Sequence, residues 1–374
     1  MNSIPEDLFF EIFSRLPSKS IARFRCVSKL WESMLHRPYF TEFFLTRSSA
    51  RPRLLFAFRR VSEKRVDYLR FVSLPQPHNP YETLSSTVVA ADLHMTFPMP
   101  GYIDGYASGL VLITNDQDHV ICNPNTGQYS ILPKVIEQYM CSVSFLGFDP
   151  IDKQFKVLLA NEGEFRILTL GTGEVSWRKV QCSLPYCTSC SEWICINGVV
   201  YCLVKKLDET LEIFCFDVRS EKSKIIDVEN FYFCRSRLVN YKGKLGVIHR
   251  YRDKNILELH TCVLEDVEKH EWSKHVYTFP HDCEIAHHLD DCYRDVSVVG
   301  VTATGEIVLS PGYTYHKDSP KSYMFYFNPE SKSLQKVQIP GSDGFSGRDF
   351  DVFVDHVEDL NLNDAKILKS SIFE

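Results

Sequence analysis

The hydrophobic pattern changes period once along this chain. Between Ser3 and Leu35 apolar residues recur at helical spacing, and Ile4, Leu8, Phe9, Ile12, Phe13 and Leu16 form one broad stripe. Ser3 with Glu6 three residues on is a capping-box pattern, and Pro5 is tolerated in a first turn that has spare N–H groups. Pro17 stops this helix. Ser18 is a candidate cap for a second helix carrying Ile21, Ala22 and Phe24. Ser28 can cap a third, with Leu30, Trp31, Met34 and Leu35, before Pro38. Phe40, Phe43 and Phe44 suggest one further turn or two. The pattern predicts a small three-helix all-α domain over 1–46 and a polar, basic linker over 47–53.

From Leu54 the grammar is that of strands. Short runs of Val, Ile, Phe, Tyr and Leu alternate with Gly, Pro, Asn and Asp clusters. A weak repeat emerges, in which an apolar strand enters a polar turn and a second, half-polar strand follows. The turns begin at Asn123, Gly171, Asp217, Asp266 and Asn328, with steps of 48, 46, 49 and 62 residues. A second set of tight turns lies at Gly109, Asn197-Gly198, Lys242-Gly243 and Thr304-Gly305. Steps near 45–50 residues with about four strands each fit propeller blades. The stretch 54–358 is therefore expected to be an all-β domain of six or seven blades, with an irregular pair of β-sandwiches as the alternative. The long last step implies an insertion around Pro280 to Arg294. Helical spacing returns only at Asp359 to Leu368, in a tail over 359–374.

The short helices cannot bury so much apolar surface among themselves. Either the rest of the chain covers the excess, or another protein does, as when an amphipathic helix lies in a partner's apolar groove. The pattern leaves both open. Charge narrows the partners: a net charge of -6 argues against general nucleic-acid binding. The local run Arg51, Arg53, Arg59, Arg60, Lys64 and Arg65 alternates with apolar residues and reads as a solvated strand face. The thirteen cysteines are odd in number and scattered through apolar strands, which points to buried free thiols in a reducing compartment. No signal peptide is evident and no apolar run is long enough to span a bilayer, so cytoplasm or nucleus is expected.

Catalytic and metal chemistry find little support. Cys182, Cys187, Cys190 and Cys195 contain one CxxC pair with no second pair following it, so thiols are favoured over zinc. His281, Cys283, His287, His288 and Cys292 read as a polar partner-contacting loop before a metal site. The glycine-rich stretch Gly341 to Gly347 has no Lys and no following helix, and reads as a loop. Trp177 and Trp272 fall in equivalent post-turn strands and read as core anchors. No nucleophile elbow, Walker loop, dinucleotide fingerprint or HExxH occurs. No cofactor and no metal is expected.

Two resemblances organise these readings. Ile4-Pro5-Glu6-Asp7-Leu8, Ile12, Leu16-Pro17, Arg25-Cys26-Val27-Ser28-Lys29 and Trp31 resemble the F-box, the helical module that binds the Skp adaptor of cullin-based ubiquitin ligases. Ile4 stands where Leu is usual, a volume-conserving swap. Gly105 to Leu110, Cys122 to Thr126, Gly147 to Pro150, Leu170 to Gly173, Asn197 to Tyr201 and Phe216 to Glu221 resemble the plant F-box-associated interaction domain, related in shape to Kelch-type propellers. Together they imply a non-catalytic substrate-recognition subunit of an SCF-type ubiquitin ligase. Ile4, Pro5, Leu8, Ile12, Leu16, Pro17, Ile21, Val27 and Trp31 would carry the adaptor contact, directly or by holding the helices. Cullin would be reached through the adaptor, and the β domain would bind a target protein for ubiquitination and proteasomal degradation. The alternative is a propeller that holds a glycan or small ligand without delivering a target.

Overall fold

The computed structural model describes residues 5–62, 65–76, 92–97, 101–115, 118–135, 143–161, 164–171, 176–182, 187–206, 210–228, 236–253, 256–279, 296–311, 322–339 and 350–360. Four helices open the chain, not three: α1 (Glu6–Phe13), α2 (Ser18–Arg25), α3 (Lys29–Leu35) and α4 (Pro38–Ser49). The fourth outruns the expected turn or two because Phe40, Thr41 and Phe44 give it a buried face, and Thr46 falls inside it. Pro38 starts it at a position whose N–H needs no partner.

The helix caps only partly follow the sequence pattern. Ser28 caps α3, its Oγ accepting from the Trp31 N–H at 3.2 Å. Ser3 and Ile4 lie outside the described residues, and Pro5 stands at the N-cap of α1. Ser18 is the first residue of α2 and not its cap. Pro17 occupies the cap position and offers no side-chain acceptor. The missing acceptor is the carboxylate of Glu358, 340 residues along the chain.

Among the described residues twenty-four strands follow, in six four-stranded antiparallel sheets. The first sheet holds β1 (Arg53–Ser62), β2 (Arg65–Pro75) and β3 (Asp92–Phe97). The second holds β4 (Tyr102–Ala107), β5 (Leu110–Thr114), β6 (His119–Asn123) and β7 (Gln128–Ile131). The third holds β8 (Val143–Asp149), β9 (Gln154–Asn161), β10 (Glu164–Thr169) and β11 (Arg178–Val180). The fourth holds β12 (Cys187–Ile196), β13 (Val199–Lys206), β14 (Leu211–Asp217) and β15 (Ser223–Asp227). The fifth holds β16 (Ser236–Tyr241), β17 (Lys244–Asp253), β18 (Ile256–Asp266) and β19 (Glu271–Phe279). The sixth holds β20 (Val296–Val301), β21 (Ile307–Pro311), β22 (Ser322–Asn328) and β23 (Ser333–Ile339). Finally β24 (Phe350–His356) pairs with β1 and completes the first sheet in the order β24-β1-β2-β3.

This is a six-bladed β-propeller, and it excludes the sandwich pair. The ring closes by joining the last strand to the first three. The core is six apolar wedges, one between each pair of neighbouring blades. Leu54, Phe56 and Phe58 of β1 face Val308, Met324 and Tyr326 of the sixth blade. Leu55 and Ala57 of the same strand face Val111 and Ile113 of the second. With both faces buried, an inner strand reads as an unbroken apolar run and not as an alternating one.

The sequence repeat has a turn-chemical cause. The polar turns join the third and fourth strands of their blades. In four of them a side-chain oxygen at the turn's first residue accepts a backbone N–H: Asn123 from Asn125, Asp217 from Ser220, Asp266 from Glu268 and Lys269, and Asn328 from Glu330 and Ser331. The second set joins the first and second strands. Asn197-Gly198 and Lys242-Gly243 have positive φ at both positions, the two-residue hairpin geometry that suits twisted strands. The expected insertion around Pro280 to Arg294 lies outside the described residues, as do the residues after Leu360.

One other expectation changes. Arg53 and Arg59 are not solvated strand residues. Arg53 donates to Asp92 at 2.5 Å and to Ser73, and Arg59 sits 3.3 Å from Asp351, each Arg side chain being about one-fifth exposed. Trp177 and Trp272 are half-buried at the wedge margins, and the Trp177 indole N–H donates to the Pro133 carbonyl across a blade boundary.

Candidate functional site

In blade one, the place where the other blades have a first-to-second-strand turn is taken by the two ends of the propeller domain. Arg53, opening β1, pairs with His356, closing β24. The helices precede Arg53 by a three-residue link, so they sit on that end of the ring. There α4 lies over the bore, with Leu45 and Ser49 lining a cavity of about 790 Å³ together with Tyr106, Arg237, Phe353 and Asp355.

α1 is apolar on more than one side. Phe9, Phe10 and Phe13 turn inward. Phe9 stacks on Phe13 at 4.2 Å between ring centroids, and Trp31 meets Phe13 and Phe24 at 5.3 Å. This aromatic hub is the centre of the helical domain and is worth more than its area alone. Leu8 and Ile12, one turn apart, point away from it and are 54% and 52% exposed. Val27 and Leu30, at the start of α3 beside Trp31, are 64% and 65% exposed. Pro5 and Pro17 are exposed as well.

The residues singled out from sequence therefore divide. Pro5, Leu8, Ile12, Pro17 and Val27 are at the surface. Leu16 and Trp31 are half-buried against the hub. Ile21 is fully buried, which suits a residue that holds the helices and not one that makes a direct contact; α2 packs its one large aliphatic side chain into the core. Ile4 lies outside the described residues. Leu30 and Tyr39 were missed. Each is about two-thirds exposed, and Tyr39 lies parallel to Phe43 at 6.4 Å. In helices this short, apolar spacing does not separate an inward residue from an outward one.

Charges border the apolar surface. Glu11 accepts from Arg15 and Arg47, each at 2.5 Å, and Glu6 accepts from Arg37. The Arg47 guanidinium is the main cause holding the Glu11 carboxyl below the usual carboxylate range.

The chemical candidates elsewhere do not assemble. Among the described residues no group of three His, Cys, Asp or Glu is placed to hold a metal. Cys195 is engaged between blades, its sulfur accepting from the Phe148 N–H at 3.4 Å, and burial pushes its thiol up to about 11. Cys122, Cys202, Cys215 and Cys262 are buried free thiols, whereas Cys26 is exposed. The Cys187 and Cys190 side chains, the His281 to Cys292 cluster and the Gly341 to Gly347 stretch lie outside the described residues.

The described residues thus form a four-helix knob with apolar side chains at its surface, fused to a six-bladed propeller. A family profile for the F-box domain matches residues 1–43, and one for the F-box associated beta propeller domain matches residues 53–357. Three F-box proteins of Arabidopsis thaliana are 45%, 44% and 46% identical to this chain, over 99%, 97% and 100% of it and 96%, 95% and 94% of their own lengths. The chain belongs to the F-box proteins that carry an F-box-associated β-propeller.

Proposed function

We propose that this protein is the substrate-recognition subunit of an SCF-type ubiquitin ligase. The observation that carries the reading is the exposure of Leu8, Ile12, Val27 and Leu30 around a well-packed aromatic hub. Exposed apolar residues in one small module cost solubility and are a mark of a protein-binding face. A Skp-type adaptor would cover them, and cullin would be reached through it. The chain itself makes and breaks no bond. It raises the local concentration of a target's lysines near a charged conjugating enzyme.

The helices occupy the end of the ring that carries the first-to-second and third-to-fourth strand turns. The target would bind at the other end, where the connections between blades lie, or on the blade flanks. Loops on a rigid scaffold are the usual place for recognition.

Co-purification of the full-length chain with a Skp-type adaptor and cullin tests the reading. The Leu8→Ala, Ile12→Ala double variant should lose adaptor capture with the propeller still folded by thermal melting. Capture that survives the double change would remove this surface from the contact. Failure of the unmodified chain to assemble with cullin would favour the alternative, a ligand-holding propeller, for which the cavity of about 790 Å³ beneath α4 is the natural place to look.

A further inference from the structure

The residues just after β24 turn back into the F-box. The Glu358 carboxylate accepts the Ser18 N–H at 2.7 Å, at the start of α2, in a buried setting. α2 has no acidic residue in its own first turn and no side-chain cap, so Glu358 supplies the acceptor that a helix start needs. The Glu358 backbone N–H donates in turn to the Ser48 hydroxyl of α4 at 3.0 Å. Two residues on, Leu360 is fully buried inside the F-box core. Lys19 adds a bond to the His94 carbonyl of β3 at 3.2 Å.

We propose that Glu358 and Leu360 form a latch that makes the F-box and the propeller one rigid body. The F-box is attached at its C-terminal side by only three residues, Ala50 to Pro52, between α4 and β1. A single short link of that kind leaves rotation free, and domain motion is then the default. A second attachment, entering from the far end of the chain and bonding two different helices, removes that freedom. Glu358 and Leu360 are positioning residues. Both are buried, and they fix the angle between the exposed apolar face of the F-box and the opposite end of the ring. The functional meaning of that angle rests on the ligase reading; the latch itself does not.

The test uses the full-length chain with dyes attached through unnatural amino acids at two exposed positions, Arg23 on α2 and Ile151 on the propeller. Single-molecule energy transfer should give one narrow distance distribution for the parent chain. Leu360→Ala and Glu358→Ala should each broaden it. Glu358→Gln, which keeps an acceptor oxygen, should remain close to the parent. Hydrogen exchange provides a second readout: amides of α1 to α3 should exchange at least about tenfold faster in Leu360→Ala while β13 and β17 stay protected. A distribution as narrow in Leu360→Ala and Glu358→Ala as in the parent would overturn the latch. Failure of the parent chain to capture an adaptor would overturn the ligase reading and leave the latch standing.

Discussion

The Tyr106 hydroxyl lies 2.9 Å from Nδ1 of His356, and the other ring nitrogen of His356 is 3.0 Å from Oδ1 of Asn125. With the amide oxygen as acceptor, Nε2 carries the proton and Nδ1 accepts from the phenol. The imidazole, at the end of the ring-closing strand β24, is thus held neutral against β4 and the β6–β7 turn of the second blade. A similar bond joins His94 Nε2 to Ser73 Oγ at 2.7 Å. Burial, with His94 and Arg53 nearby, lowers His356 to about 3. Burial, with Arg53 nearby, lowers His94 to about 4.

Acid should therefore loosen the ring closure. Above about pH 6.5 both histidines are neutral, folded or unfolded, and contribute no pH dependence. Between about 6.5 and the lowered folded values, only the unfolded chain takes up the protons, so stability falls as pH falls. For His356 alone the loss by pH 5 is on the order of 2 kcal/mol. Asp355 and Glu358 work the other way, because burial raises both carboxyls and the fold takes up their protons first. Melting temperatures at pH 7 and pH 5 for the parent chain and for His94→Gln, His356→Gln should show the acid-induced drop shrinking or reversing in the double variant. An equal drop in both would mean that these histidines do not set it.

Ile21 and Leu8 should behave as opposites, although both are apolar residues at helical spacing. Ile21→Ala removes a fully buried side chain from the F-box core and should cost about 2–5 kcal/mol. Leu8→Ala removes a side chain that is 54% exposed and should cost under about 1 kcal/mol of stability while weakening adaptor capture. Chemical unfolding of the helices, followed by circular dichroism, alongside adaptor titration separates the two effects. Similar loss of stability in both variants would place Leu8 in the core.

Much of this was legible in sequence, and the failures have physical reasons. The helices announced themselves through Pro17, Ser28 and Pro38, each of which acts within a few residues. The blades announced themselves through turns such as Asp266, whose oxygen bonds its own neighbours. The cap of α2 could not be read locally, because Glu358 lies 340 residues from Ser18. The blade count stayed at six or seven because blade one is assembled from both ends of the domain, so no complete period marks it.

Gly147 should be intolerant of even one carbon. A Cβ there would lie 2.6 Å from one methyl of Val218 and 3.0 Å from one of Val200, both fully buried between the third and fourth blades. Neither valine has room to move, so Gly147→Ala should cost about 1–3 kcal/mol through overpacking. Gly127 is the control. It sits in a turn with φ of +77°, and a Cβ there meets nothing within 4 Å, so Gly127→Ala carries only the backbone penalty of about 1 kcal/mol. Thermal melts should rank Gly147→Ala below Gly127→Ala, and the reverse order would mean that the wedge is looser than its contacts indicate.

Lys156 ties blade three to blade four with a buried charge. Its ammonium donates to the Val218 carbonyl at 2.6 Å and to Glu221 at 2.7 Å, and Arg178 bonds the same carboxylate from a half-exposed position. Arg178 first, and Lys156 after it, hold the Glu221 carboxyl below its usual range. Removing the exposed partner should matter least, with Arg178→Ala costing under about 1 kcal/mol. Lys156→Met keeps the stem's packing but leaves a carbonyl without its donor, at a cost of about 1–3 kcal/mol. Glu221→Ala strands the lysine and should cost most, about 3 kcal/mol or more. The Lys156→Met, Glu221→Ala double variant should then lose less than the two single losses added together, because the second change removes a charge already left without its partner. Strict additivity across that cycle, measured by denaturant unfolding, would show that the pair does not act as a unit between the blades.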